Sequence, residues 1–107
     1  MKTKPLNHNK NSVLHEFAKR LNITPMQIIE QNKRPYICDI RHLYCKLRHE
    51  KHGRSFSETG REIGRTHTAA RSGVQRINVL LRLNDKRTMK MWNRVRDIKE
   101  LYISGYY

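Results

Sequence analysis

Residues 60–77 read GREIGRTHTAARSGVQRI. Two glycines four positions apart are followed by a polar cluster and then by apolar residues at helical spacing. A glycine inside a helix costs about 1 kcal/mol relative to alanine, so Gly60 needs a reason beyond helix formation. A turn between two packed helices supplies one. The first helix lies close against the second, which favours a tiny side chain at the contact. Four residues later the turn needs a backbone geometry that glycine adopts without strain. Phe56 and Ile63 offer apolar contacts for the first helix, and Ala70, Val74 and Ile77 offer them for the second.

Similar punctuation divides the rest of the chain. Ser12 is the expected N-cap of a helix with Val13, Leu14, Phe17 and Leu21 on its apolar face. Thr24-Pro25 starts a short second helix carrying Ile28 and Ile29. Pro35 opens a longer helix to about Lys51, with Tyr36, Ile40, Leu43, Tyr44 and Leu47 on one face, and Gly53 ends it. Ser55 or Ser57 caps the next helix, which Gly64 closes. Thr66 then caps a helix whose inner stripe is Ala70, Val74, Ile77, Leu80 and Leu81. Asn84-Asp85 breaks that helix and caps a last one bearing Met91, Trp92, Val95, Ile98 and Tyr102. No alternating strand pattern persists beyond a few residues. The expected fold is therefore all-α, about six helices containing a helix-turn-helix. Residues 1–10 read as a flexible basic arm, 11–103 as the folded domain and 104–107 as a tail.

Charge narrows the partners. The chain of 107 residues carries 23 Lys and Arg against 9 Asp and Glu, a formal net charge of +14 and a sequence pI near 10.4. Such a field attracts polyanions, nucleic acid first among them. No apolar stretch approaches the roughly 20 residues needed to cross a bilayer, and residues 1–11 lack the apolar core of a secretory signal. Cys38 and Cys45, seven apart in one helix, would lie about 10 Å apart, too far for a disulfide. A cytoplasmic, nucleoid-associated protein with reduced thiols is expected.

With Thr66 as cap, His67, Thr68, Arg71, Ser72 and Gln75 are exposed along the N-terminal half of the helix that follows. That end carries free N–H groups and positive dipole character suited to phosphate. Recognition helices read base edges with such early positions: Thr donates, accepts or touches a thymine methyl, and Arg bridges guanine O6 and N7. Residues 12 to about 98 resemble the C-terminal DNA-binding domain (domain IV) of the bacterial replication initiator DnaA, in the Trp-repressor-like helix-turn-helix group. The features that carry the resemblance are Arg34-Pro35 opening a helix, SFSETGREIG at the first helix of the motif and GRTHTAARSGVQRI at the family signature. The lead-in VLHEFAKRLNITPMQII is similar as well. The resemblance implies that His67 and Thr68 contact bases and phosphate, that Arg65 is the signature arginine, and that Arg76 approaches the DNA backbone. It implies that Ser57 lies at a helix start whose amides meet a phosphate, and that Lys33 and Arg34 are the remnant of a basic loop entering the minor groove.

Departures from the family pattern alter the expected target. Thr66 stands where the family has an acidic residue, which removes an acceptor for the cytosine amino group. Ala69 replaces a second Thr, and Tyr36 and Ile37 replace a polar pair. The stretch after the long helix is longer and basic, with Arg48, Lys51, His52 and Arg54. No G-x-x-x-x-G-K-[ST] loop occurs, so no nucleotide cofactor and no ATPase are expected.

Cys38, His42, Cys45 and His49 recur along one helical face. Four ligands strung over about 16 Å of one helix cannot meet around one zinc ion, so packing against the first helices or partial exposure is the expectation for this face. The acidic residues show no pairing suited to Mg²⁺-dependent chemistry, and no enzyme is expected. The expected function is a sequence-preferring double-stranded DNA-binding domain in replication or transcription control, with a homodimer or a protein partner left open. Two alternatives stand beside it. One is an RNA-binding or ribosome-associated helical protein. The other is a protein-interaction module that has lost DNA readout and works through Trp92 and the Tyr-rich tail.

Overall fold

Five of the six described helices begin where a side chain takes the place of the missing backbone acceptor; the third starts instead on Pro35, which has no N–H to satisfy. The computed structural model describes residues 11–31 and 33–100, so the expected arm, Tyr102 and the tail lie outside the described residues. Helix α1 is Ser12–Arg20, and its cap is Asn11, whose Oδ1 accepts from the Leu14 N–H at 3.0 Å. Ser12, the expected cap, instead takes the first helical position, because an amide oxygen one residue earlier caps equally well. Helix α2, Pro25–Ile29, has the expected Thr24 cap, reinforced by Gln27 in a reciprocal capping box. Helix α3, Pro35–Lys46, runs on as a π-helical turn, Leu47–Lys51, where a plain helix was expected.

Helix α4, Phe56–Glu62, opens on a second capping box, Ser55 with Glu58. Ser55 is therefore the cap, and Ser57 lies exposed in the first turn. Helix α5, His67–Arg82, is capped by Thr66, and α6, Lys86–Val95, by Asp85. Between α5 and α6, Asn84 takes the left-handed conformation at φ 59°. Helix α6 is shorter than expected: Ile98 is buried but lies beyond its end. The described residues form six α-helices and no strand, an all-α domain.

The core runs through α3. Phe17, Leu14, Ile28, Ile40, Leu43, Tyr44, Leu47, Ile63, Ile77 and Val95 are all fully enclosed. Each such side chain contributes about 1.5–3 kcal/mol through burial. The principal helix contact is α3 against α5, with α4 also packed on α5, so α3 forms a floor for the α4–α5 pair. Tyr36 departs from its expected place on the apolar face. It is 42 % exposed in the first turn of α3, with its ring 5.9 Å from the Arg87 guanidinium carbon.

Beneath the π-helical turn lies a polar cluster. Arg48, buried, donates to both oxygens of Glu62 at 3.0 and 2.9 Å, and Glu62 also accepts from the Tyr44 hydroxyl. Arg48 Nη1 lies 2.9 Å from His52 Nδ1, and His52 Nε2 lies 2.9 Å from the Ile98 carbonyl oxygen. Arginine can only donate, so His52 accepts through Nδ1 and, in its neutral form, donates through Nε2. Lys46 meets Glu50 at 2.5 Å and the Asn78 side-chain oxygen at 2.6 Å, joining α3, the π-helical turn and α5. No helix among the described residues is long and apolar enough to cross a membrane.

Candidate nucleic-acid interface

The connection between α4 and α5 is set by a close approach of backbone to backbone. A Cβ placed on Gly60 would sit 2.6 Å from the Arg65 carbonyl oxygen and 2.9 Å from that of Thr66. The Gly60 carbonyl in turn accepts from the Arg65 N–H at 2.8 Å. The chain folds back over Gly60, and any side chain there would block it. Gly64 supplies the reversal at φ +71°, a conformation that residues with a side chain rarely adopt. Thr66 then stops the turn: its Oγ1 accepts from the Ala69 N–H at 3.1 Å. That oxygen thus serves as the cap of α5.

Two arginines tie this turn to the rest of the domain. Arg65 donates from Nη1 to the carbonyls of Ile29, Ile63 and Gly64, and from Nη2 to that of Glu30 at 2.8 Å. Arg41 on α3 donates to the Ile28 carbonyl at 2.6 Å and to that of Glu30 at 2.7 Å. The C-terminal carbonyls of α2, which lack helical partners, are thus gathered by two cations, the sign that suits that end of a helix. Desolvation, with Arg41 as a like-charged neighbour, holds the Arg65 pKa below its ordinary value. Arg65, the arginine of the expected signature, holds the turn in place through its own chain's carbonyls.

From the cap onward, α5 turns its polar side chains outward. His67, Thr68, Arg71, Ser72, Gln75 and Arg76 are all exposed, while Ala70, Gly73, Val74 and Ile77 face the core. The exposed residues make two adjoining rows at four-residue spacing, His67–Arg71–Gln75 and Thr68–Ser72–Arg76. No acidic residue occurs between His67 and Arg82. Lys33 and Arg34, just before α3, are exposed as well. One set of residues goes unmarked by sequence reasoning: Asp39 on α3 is an ion-pair partner of both Arg76 and Arg87, the latter in the first turn of α6. An acidic residue on a helix face gives no sign of partners so distant along the chain.

Along the Cys38, His42, Cys45 and His49 face, Cys45 is buried and the other three are half-buried, the second of the two expectations, and the two histidines pack against α5 and α4. His42 lies under Gly73 of α5, where an added Cβ would collide with its ring. His49 stacks on Phe56 of α4 with ring centroids 3.9 Å apart. Burial pushes the Cys45 thiol up to about 12, which keeps it a protonated apolar side chain rather than a thiolate ligand. Among the described residues, no three His, Cys, Asp or Glu side chains gather as a metal-holding group. Trp92 is only 8 % exposed, with Lys46 over its ring, and so presents little surface to a partner. Compared with known proteins, this chain is matched by no family model, no curated protein and no solved structure.

Proposed function

We propose that this protein is a sequence-preferring double-stranded DNA-binding domain in which α4, the turn and α5 act as a helix-turn-helix. In this reading α5 enters the major groove by its N-terminal half. His67, Thr68, Arg71, Ser72 and Gln75 read base edges, and Arg76, Lys33 and Arg34 lie on phosphates. Ser57 and the start of α4 face the backbone on the other side of the groove. The observation that carries this reading is the exposed N-terminal half of α5, capped by Thr66 and without an acidic side chain. The likeness of residues 60–77 to the DnaA signature supports it and points to replication or transcription control, without an ATPase. The burial of Trp92 weighs against the interaction-module alternative.

Fluorescence anisotropy tests the reading on a random duplex, a duplex carrying a DnaA box and a duplex RNA, each titrated across salt. DNA binding through the backbone gives a log–log salt slope of about −0.9 per phosphate contact. Replacing His67 with Ala should weaken binding to a preferred site by about 1–3 kcal/mol and leave random-duplex binding unchanged. Equal loss on both would remove His67 from base reading. Negligible binding to any DNA at low salt would overturn the proposal, and a preference for RNA would replace it with the RNA-binding alternative.

A further inference from the structure

Asp39 is a carboxylate with two cations and little solvent. Its side chain is 9 % exposed, yet it lies 2.8 Å from Arg87 Nη2 and 3.9 Å from Arg76 Nε. The two arginines are themselves 64 % and 55 % exposed for Arg76 and Arg87. Ion pairs with partners so open to water add little to stability, and holding two long side chains in place costs rotamer entropy. Stability alone is a weak account of the arrangement. Its other effect is preorganisation. The carboxylate fixes one edge of Arg87, the Tyr36 ring lies against that guanidinium, and a net positive charge remains for an anion outside.

The pair's position identifies the anion. Arg76 ends the row that begins at Thr68, and the two lie about 12 Å apart along α5, enough to reach from the floor of a major groove about 8.5 Å deep to its wall. A helix whose first turns sit on base edges therefore delivers Arg76 to a sugar–phosphate backbone. Asp39 places Arg87, from a different helix, beside it. Tyr36 stands two residues after Arg34, so the exposed Lys33-Arg34 segment adjoins the same edge.

We propose that Arg76 and Arg87 form a two-arginine clamp for a DNA backbone phosphate, with Asp39 and Tyr36 as positioning residues. The clamp rests on the DNA-binding reading above and extends it to a contact from α6. Guanidinium forks suit this task because they present paired N–H donors to phosphate oxygens.

The test uses the full chain on the random duplex, with anisotropy read across salt and folding checked by thermal melts. Arg87→Ala should lower affinity and reduce the magnitude of the salt slope by about 0.9, one phosphate contact. Arg94→Ala, which removes the same charge two turns further along α6, should change the slope by much less. Asp39→Asn separates positioning from bulk charge. Losing the negative charge raises the net positive charge and would by itself tighten binding, whereas losing the brace weakens it. Weaker binding by a folded Asp39→Asn variant is the expected result. Equal losses in Arg87→Ala and Arg94→Ala, or tighter binding by Asp39→Asn with an unchanged slope in Arg87→Ala, would overturn the clamp while leaving DNA binding itself in place. Failure of the unaltered protein to bind any duplex would overturn both.

Discussion

His42 has an environment hard to reconcile with a proton. Its Nδ1 is buried without a hydrogen-bond partner, and the ring is pressed under Gly73. Desolvation lowers its pKa from the ordinary 6.5, Asp39 opposes that shift, and Arg76 and Arg41 add to it. The folded protein therefore keeps His42 neutral at a pH where the unfolded chain already takes up a proton. The resulting stability is fully present above about pH 6.5 and declines as pH falls through the folded-state value. Urea midpoints measured between pH 7 and 5 should fall with acidification, and a His42→Gln variant should show a shallower decline. Parallel curves for the two proteins would show that other groups control the effect. The sequence marked His42 as one of four potential metal ligands. What it could not show is that the neighbour across the helix contact is a glycine some thirty positions on, which leaves room for the ring and offers no acceptor.

Between elements, two glycines play unlike parts. At Gly60 the neighbouring atoms are main-chain carbonyls of the turn; at Gly73 they belong to the His42 side chain. Backbone cannot step aside without moving α5, whereas a ring can turn. Gly60→Ala should therefore destabilise by about 1–3 kcal/mol, the range for overpacking, despite alanine's better helix propensity. Gly73→Ala should cost less, and its cost should shrink further in a His42→Ala background, as a double-mutant cycle would measure. A cost at Gly73 equal to that at Gly60 would contradict the distinction. That Gly60 sits at a tight approach followed by a reversal at Gly64 was legible in the sequence, although the atoms that crowd it are carbonyls of Arg65 and Thr66 in the turn rather than the body of the second helix. So were the caps at Thr24 and Thr66 and the helix-breaking Asn84-Asp85. The π-helical turn was not, since the apolar spacing through Leu47 reads as ordinary helix. Its wider turn accompanies the burial of Arg48 against Glu62, a partner on another helix. The cap at Asn11 was missed by one residue, and the choice of Ser55 over Ser57 stayed open, because neighbouring side chains share the same capping chemistry.

Across the whole molecule, charge is distributed with a purpose that composition alone hides. Most carboxylates are engaged by the fold: Glu62 and Glu100 hold Arg48, Glu50 holds Lys46, Asp39 holds Arg76 and Arg87, and Asp85 and Glu58 cap helices. The basic surplus is left to the surface, α5 included. The exposure of His67, Thr68, Arg71, Ser72 and Gln75 was legible from their helical spacing. The meeting of Asp39 with Arg76 and Arg87 depends on three helices and leaves no trace in any one segment. The grip of Arg41 and Arg65 on the end of α2 carries a further consequence for how this domain could be dissected or transplanted. A fragment starting at Pro35 keeps α4, the turn and α5 intact yet lacks the carbonyls of Ile28, Ile29 and Glu30 that both guanidiniums occupy. Two like charges would then face each other across an empty seat, and the core would also lose Leu14, Phe17 and Ile28. Such a fragment should show no cooperative melt by circular dichroism. The outward residues of α5 can be exchanged one by one, but the α4–α5 unit cannot be cut free: its turn is local and its footing is not.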